Sequence, residues 1–269
     1  MKSFLILLIT ILVTPHLFSQ SLNAEKIDFE LSTSYEKILH YRLGTEPIFF
    51  DSIEIENQNF RKKIKQNICN NPNSILYSFD SLKQNIHIVS SDDKSFRIYS
   101  WNTWLGGTME DYESLFQFKS KDSIFIRSNY STTSINEGSY SGFYSQIFTL
   151  KLNSKTYYLA IQNGKYSSKD ISQSVKVISI ENSTIIDSIQ LFKTAEGFKN
   201  SIDIYFDFFS VVDRHERPLR LIKYDENKKI LYIPIINEDE KVTNRFNLYQ
   251  FTGKYFELIG TKSKRWLLK

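Results

Sequence analysis

The sequence predicts a mainly β protein, an antiparallel meander of hairpins preceded by two short helices. From Ser74 onward, runs rich in Ile, Phe, Tyr and Val are separated by short groups of Ser, Asn, Asp, Lys and Gly, which is the pattern of strands and turns. We count about thirteen such strands, nearly all in hairpins, which favours an antiparallel structure. A propeller needs at least about sixteen strands, so we expect a sandwich or a strongly curved sheet instead.

The residues before Ser74 have helical spacing. Apolar residues recur every three or four positions in residues 24–43 and again from about Glu54 to Ile68, and this period predicts two helices. We therefore divide the chain into a signal peptide (1–20), a helical N-terminal segment (21–73) and an antiparallel β domain (74–269).

The first residues have the three regions of a secretory signal peptide. Lys2 precedes the apolar run Phe4 to Val13, and small polar residues follow around Ser19 to Ser21. The apolar run is too short to span a bilayer, which takes about 20 residues. The alternative is a buried N-terminal helix or strand. We expect export to the periplasm or the cell exterior, and no lipid anchor because no Cys lies near the cleavage site.

Composition excludes several classes of protein. Without Lys2 the chain has 33 basic and 30 acidic residues, and their charges are interspersed, so no nucleic-acid partner is indicated. Cys69 is the only cysteine, which rules out an intramolecular disulfide. No later apolar run is long enough to predict a transmembrane segment in the mature chain.

Residues 86–109 read as a hairpin followed by an aromatic-glycine loop. We expect Ile88 to lie opposite Ile98, because a slip of one residue would mix the two faces. In that register one face holds the apolar residues Ile86, Ile88, Phe96 and Ile98. The other face holds the larger polar and aromatic residues His87, Arg97, Tyr99 and Trp101.

Further hairpins are expected along the chain. Phe116 and Phe118 are predicted to pair with Ile126 and Ile124. Three apolar residues of the next hairpin, Phe148, Leu150 and Leu152, are predicted to pair with Ala160, Tyr158 and Thr156. Residues 202–212, 219–224 and 230–236 are expected to follow as a meander. Turns are predicted at Asn182-Ser183 and at Thr252-Gly253-Lys254.

Three polar loops stand out: Leu105 to Asp111, Asn129 to Ser145 and Asn163 to Gln173. Loops on a rigid sheet are where binding sites often form. They are also where insertions are tolerated, and the sequence leaves both interpretations open.

The aromatic loop contains the candidate ligand-binding residues, which are Arg97, Tyr99, Trp101, Asn102 and Trp104. Flat aromatic rings beside polar donors suit a sugar ring or an extended peptide, because rigid rings supply contact area at little entropic cost. The alternative is that these residues form a secondary core, since tryptophan is highly buried on average.

No catalytic signature is recognisable. No cofactor or metal is expected, because none of His40, His87 and His215 has a second His or Cys at ligand spacing. We interpret the charged run Asp213 to Pro218 as a turn. A glycosidase needs two facing carboxylates, and the weak candidates are Glu110, Asp111 and Glu113.

The run Ser-Trp-Asn-Thr-Trp-Leu-Gly-Gly-Thr-Met, residues 100–109, carries a resemblance. Together with the signal peptide it is similar to uncharacterised exported proteins of Bacteroidota-type bacteria, in which Ser-Trp, a polar residue and Thr-Gly-Gly-Thr-Met recur. Here Leu105 precedes the paired glycines and Asn102 replaces an expected Asp. The resemblance covers residues 74–259 and implies export, but it brings no activity and no site residues.

Four Asp-Ser-aliphatic triplets resemble the O-glycosylation sites of exported proteins in these bacteria. The resemblance implies modification of Ser52, Ser81, Ser123 and Ser188. Each triplet also reads as a turn that leads into a strand.

Three hypotheses about function follow. The first is an exported, non-catalytic protein that binds an envelope glycan or a partner protein through residues 99–107 and 129–145. The second is a periplasmic hydrolase of envelope polysaccharide that uses the acids after the aromatic loop. The third is a purely structural role.

Overall fold

The structure is a computed structural model that describes residues 14–44, 47–121, 123–128, 142–152, 155–214 and 220–263. The chain divides into two compact units, residues 1–86 and residues 87–269. The first unit is helical and the second consists of β-sheets.

The N-terminal unit confirms both predicted helices and lengthens them. Helix α1 spans Thr14–Leu43 and α2 spans Phe50–Asn70, followed by short 3-10 helices at Pro72–Leu76 and Leu82–Gln84. None of the described helices combines the length and apolar character needed to cross a membrane. The signal-peptide prediction stays untested, because residues 1–13 lie outside the described chain.

The apolar periodicity of these helices has the expected cause. The predicted stripes are buried along both helices, with α1 contributing Ile27, Leu31, Tyr35 and Ile38 and α2 contributing Ile53, Phe60, Ile64 and Ile68. The rings of Tyr35 and Phe60 meet edge to face, with their centroids 5.3 Å apart. The carboxylate of Asp28 accepts hydrogen bonds from the backbone N–H groups of Ser81 and Leu82, and so caps the 3-10 helix that begins at Leu82.

The described residues of the second unit form fifteen strands. They are β1 (His87–Ser90), β2 (Phe96–Asn102), β3 (Tyr112–Ser120), β4 (Ser123–Ser128), β5 (Phe143–Leu152), β6 (Lys155–Lys165), β7 (Asp170–Glu181), β8 (Thr184–Ile186), β9 (Phe192–Thr194), β10 (Gly197–Lys199), β11 (Ser201–Asp207), β12 (Lys223–Asp225), β13 (Ile230–Ile236), β14 (Val242–Phe251) and β15 (Phe256–Ser263).

The strands form three sheets, which confirms the mainly β prediction. The first sheet has the order β1-β2-β3-β4, and the central sheet has the order β11-β7-β6-β5, with β8 also pairing with β7. The third sheet has the order β10-β9-β15-β14-β13-β12. Neighbouring strands run antiparallel, except that β9 and β15 are parallel.

The central sheet is covered on both faces, so the architecture is a three-layer sandwich. One face packs on the first sheet through a cluster that includes Phe96, Ile98, Phe116, Tyr158, Ala160 and Ile178. The other face packs on the third sheet through a cluster that includes Leu159, Ile161, Val175, Phe192, Leu231 and Phe256. Each large apolar side chain buried in this way contributes about 1.5–3 kcal/mol to stability.

Three predicted hairpins exist, but each predicted register is wrong by one residue. Ile88 pairs with Tyr99 rather than Ile98, Phe116 pairs with Arg127 rather than Ile126, and Phe148 pairs with Leu159 rather than Ala160. The turn sets the register of the first hairpin. In the first hairpin the Ser91 N–H donates to the Phe96 carbonyl, so four residues form the loop where the prediction implied three.

The slip changes which residues share a face of the first hairpin. Val89 and Ile98 lie together, while Ile88 lies on the face of Arg97, Tyr99 and Trp101. The predicted division into an apolar face and a polar-aromatic face is therefore wrong. His87 lies on the face of Ile98 because it pairs with Ser100.

The predicted meander of residues 202–236 is also wrong in part. Strand β11 ends at Asp207, whose carboxylate accepts a hydrogen bond from the Phe209 N–H and starts a 3-10 turn over Phe208–Val211. Strand β11 pairs with β7 rather than with the segment after it. The Asn182-Ser183 turn is confirmed: both residues have positive φ, 49° and 63°, as a two-residue hairpin turn requires.

Candidate functional site

Three of the five predicted ligand-binding residues lie in the interior. Arg97, Tyr99 and Trp101 are 5%, 0% and 1% exposed. They share one face of β2, and both faces of this strand are buried. This burial fits the secondary-core interpretation of the aromatic residues, while their ligand-binding role stays a prediction.

Hydrogen bonds fix the polar groups on this face. The Tyr99 hydroxyl donates to Gln117 Oε1 at 2.8 Å, and burial raises the pKa of Tyr99 to about 12. Arg97 Nε donates to Ser90 Oγ at 2.7 Å, and the guanidinium lies 5.9 Å from the centroid of the Tyr99 ring.

Asn102 and Trp104 begin the aromatic-glycine loop and are half-buried. The backbone N–H of Trp104 donates to Asn102 Oδ1 at 2.8 Å, and Trp104 has a positive φ of 60°. Asn102 thus makes a local turn of the kind that Asn side chains favour. The loop is closed at its base by the Thr103 N–H, which donates to the Asp111 carbonyl.

The three predicted acids have separate environments. Glu110 accepts hydrogen bonds from the Tyr112 hydroxyl at 2.6 Å and from Lys165 Nζ. Asp111 accepts one from the Thr103 hydroxyl, and Glu113 is 7% exposed and pairs with Trp101 across the sheet. The catalytic role of these acids stays a prediction.

The pKa of His87, at the start of β1, lies well below the usual value for histidine. Its ring stacks on Phe143, with centroids 3.9 Å apart and planes 12° apart. Burial lowers its pKa to about 4, against an opposing effect of the Glu110 carboxylate. His87 is therefore neutral at neutral pH.

Other candidates from the sequence are dispersed. Residues 129–141 and 215–219 lie outside the described chain. These ranges contain most of the middle polar loop and His215. Among the serines with an implied modification, Ser52 is half-buried in α2, while Ser81, Ser123 and Ser188 are exposed. In the described part of the chain, no three His, Cys, Asp or Glu side chains lie close enough to hold a metal ion.

The structure brings two tyrosines together at an open pocket of about 270 Å³. The ring centroids of Tyr166 and Tyr205 are 6.2 Å apart and their planes are inclined by 38°. Tyr205 is 62% exposed on β11, and Tyr166 lies in the turn between β6 and β7. We call this site the tyrosine pocket. Its wall is completed by Asp170, Ile171, Phe206 and Glu240.

Backbone pairing and hydrogen bonds join the elements around the tyrosine pocket. Tyr205 pairs with Ser172 of β7, and the hydroxyls of Ser172 and Tyr166 lie 3.3 Å apart. The Asp207 N–H donates to the Glu240 carbonyl, which joins the end of β11 to the turn between β13 and β14. Strands β7 and β11 thus carry four residues of the pocket, while Tyr166 and Glu240 lie in turns.

The polar groups of the tyrosine pocket are mainly acceptors. Asp170 accepts a hydrogen bond from the Ser167 hydroxyl at 2.7 Å, and Glu240 pairs with Lys169 at 3.1 Å. Burial, and then the neighbouring Tyr166, raise the pKa of Tyr205. Its hydroxyl is therefore neutral at physiological pH and can donate a hydrogen bond.

Sequence reasoning missed the residues of this pocket, although part of the signal was present. Tyr166 and Asp170 belong to the predicted third polar loop, residues 163–173, of which only residues 166–169 lie between strands in the structure. Tyr205 alternates with the apolar Ile204 and Phe206, so the period of the strand places it on the opposite face. No signal pointed to Glu240, which reaches the pocket through tertiary structure.

Comparison with known proteins supplies no family: no family model, no curated protein and no solved structure matches the chain.

Proposed function

We propose that the chain is an exported, non-catalytic binding protein that recognises an envelope glycan through the tyrosine pocket. The observation that supports it is the exposed ring of Tyr205 beside Tyr166, in a pocket that also holds two carboxylates. The apolar face of a saccharide packs on an aromatic ring, and its hydroxyl groups donate to carboxylates.

The size of the pocket limits the ligand. Its volume of about 270 Å³ is below the roughly 300–1,000 Å³ that is usual for small-molecule sites. One or two sugar units fit such a shallow site, and the remainder of a polymer would extend into solvent. The expected affinity is therefore modest, since few groups of the ligand become buried.

Binding measurements on aromatic variants test this proposal. Tyr205→Ala and Tyr166→Ala should each weaken binding to envelope polysaccharide fragments by about two- to tenfold, because a lost aromatic contact is worth about 0.5–1.5 kcal/mol. The readout is isothermal titration calorimetry with size-fractionated fragments. Phe198→Ala is the matched control, because Phe198 is an exposed aromatic residue on β10, 46% exposed and outside the pocket.

Two results would contradict the proposal. One is the absence of saturable binding to any fragment by the folded wild-type protein. The other is binding that Phe198→Ala weakens as much as Tyr205→Ala does.

A hydrolase of envelope polysaccharide is the second candidate, because two carboxylates line the same pocket. Asp170 and Glu240 are both in its wall, and glycosidases use such a pair as acid and base or nucleophile. Release of reducing ends that Asp170→Asn and Glu240→Gln both abolish, with unchanged melting temperatures, would favour this candidate over simple binding.

A further inference from the structure

A second open site lies among the three sheets of the β unit. It is a cleft of about 520 Å³, a volume within the usual range for small-ligand sites. Its walls come from the β1–β2 turn with Asp92, from β5 with Thr149 and Lys151, and from β12 and the turn after it with Tyr224 and Glu226. We call this site the three-sheet cleft.

The charged side chains of the cleft include both signs and have no mutual partners. Among the described residues, none forms an ion pair or hydrogen bond with the side chains of Asp92, Lys151, Glu226 or Lys229. The adjacent Lys228 does pair, with Asp225 at 3.4 Å. Two carboxylates and two ammonium groups are thus available to a ligand in one cleft.

A buried hydroxyl in the cleft also has no partner. Thr149 Oγ1 is inaccessible to solvent and makes no hydrogen bond to the described residues. Thr149 pairs with Tyr158 across β5 and β6, but the Tyr158 hydroxyl donates to Asp93 instead. A buried hydroxyl without a partner is unfavourable, so a ligand amide that seats against β5 and displaces the cover of this hydroxyl would satisfy it.

Asp93 belongs to the wall and is not a free acid. Its carboxylate accepts hydrogen bonds from the Ser91 hydroxyl, the Ser95 N–H and the Tyr158 hydroxyl. These bonds hold the β1–β2 turn against β6 and keep the cleft preformed.

The apolar part of the cleft consists of Leu150 and the ring of Tyr224. The Tyr224 ring is fixed by Phe148 and Phe256, with centroids 5.5 Å and 6.2 Å away. A rigid ring of this kind offers an apolar surface at little entropic cost.

We propose that the three-sheet cleft binds a short peptide. A peptide carries an ammonium group for Asp92 and Glu226, a carboxylate for Lys151 and Lys229, and amides for Thr149. An apolar side chain of the peptide packs on Tyr224. A neutral saccharide has no charged group that forms ion pairs with Lys151 and Lys229, so this site differs in ligand class from the tyrosine pocket and does not depend on it.

Calorimetric titration with the tripeptide Ala-Leu-Ala tests the proposal on the full mature chain. The wild-type protein should bind this zwitterion saturably. The N-acetylated and the C-amidated tripeptides should each bind at least fivefold more weakly, because each lacks one charge. A neutral disaccharide tests whether the cleft binds a saccharide instead of a peptide.

Two substitutions locate the binding. Thr149→Val keeps the shape of the side chain and removes only the hydroxyl, so it should leave the melting temperature unchanged or higher and weaken peptide binding severalfold. Glu226→Gln should weaken binding similarly. The matched control Glu238→Gln removes an exposed acid outside the cleft and should have no effect.

Peptide binding that survives Tyr205→Ala but not Thr149→Val would establish the cleft independently of the glycan proposal. The proposal is overturned if the free tripeptide does not bind at millimolar concentration. It is equally overturned if capping both termini leaves binding unchanged, or if the disaccharide binds the cleft in its place.

Discussion

Trp101 and Trp104 are three residues apart in the chain but lie in different environments. Trp101 is 1% exposed within β2, whereas Trp104 is half-buried in the loop that follows. Strand alternation correctly places Tyr99 and Trp101 on the same side. It does not reveal whether that side faces solvent, because this depends on what packs against the sheet.

The difference between the two tryptophans predicts their effect on stability. Trp101→Ala should lower the free energy of unfolding by about 3–5 kcal/mol, as expected when a large buried aromatic is removed. Trp104→Ala is the control and should cost about 1 kcal/mol, the usual size for a partly exposed position. Urea denaturation followed by circular dichroism measures both. Equal losses in the two variants would contradict the assignment of Trp101 to the core.

His87 predicts a specific dependence of stability on pH. Above about pH 6.5 its ring is neutral in the folded and the unfolded chain, so its titration contributes no difference. Below that value the unfolded state binds the proton first, because burial lowers the folded pKa to about 4. The free energy of unfolding should therefore fall by up to about 3 kcal/mol between about pH 6.5 and pH 4.

The variant His87→Phe isolates this effect, since it keeps an aromatic ring to stack on Phe143. Its stability should fall less steeply than that of the wild type over the same pH range, as measured by urea midpoints. Parallel curves for the two proteins would show that His87 does not cause the change.

At the level of elements, the alternation of apolar residues predicted the hairpins but not which residues pair across them. The existence of the hairpins follows from their apolar runs, but consecutive residues of β2, β3 and β6 are buried on both faces, so a shift by one residue still buries apolar side chains. Phe116 therefore pairs with Arg127 and Phe148 with Leu159, each one position from the expected partner. In the first hairpin the four-residue loop fixed the register.

The paired glycines of the aromatic loop predict a contrast between neighbours. A Cβ atom on Gly106 would lie 2.2 Å from the Met109 carbonyl oxygen, whereas one on Gly107 would meet nothing within 4 Å. Gly106→Ala should therefore destabilise the protein by about 1–3 kcal/mol through overpacking. Gly107→Ala should be neutral or slightly stabilising, because it restricts the unfolded chain.

Thermal unfolding of the two alanine variants measures this contrast. Similar melting temperatures for both variants would mean that the loop backbone adjusts to the added methyl group. The close approach at Gly106 would then not be a constraint on the loop.

At the scale of the whole molecule, the packing of three sheets in layers could not be predicted from the sequence. Local hairpins carry a sequence signal, but the pairing of β11 with β7 and the parallel pairing of β9 with β15 join distant segments. The tyrosine pocket depends on the first of these pairings. This is why its loop could be identified from the sequence while Tyr205 could not.

The layering predicts a gradient of local stability. Strand β7 pairs on both edges and is buried on both faces, whereas β10 is exposed along its length at the edge of the third sheet. Amide hydrogens should exchange slowest in β7 and among the fastest in β10, because exchange follows local opening. Hydrogen–deuterium exchange with mass spectrometry resolves this order. Comparable protection of the two strands would contradict it.

Strands β11 and β5 form the two borders of the central sheet, with Tyr205 on one and Thr149 on the other. Three interstrand spacings, about 14 Å, separate these borders across the sheet. Tyr205 and Thr149 are also offset along the strands, because Tyr205 is level with Gly164 of β6 and Thr149 with Tyr158. One small molecule cannot occupy both sites, whereas a polymer bearing sugars and peptides could engage them together. Tethering at the first site would then raise the effective concentration at the second, so that two weak contacts would hold a large ligand firmly through avidity.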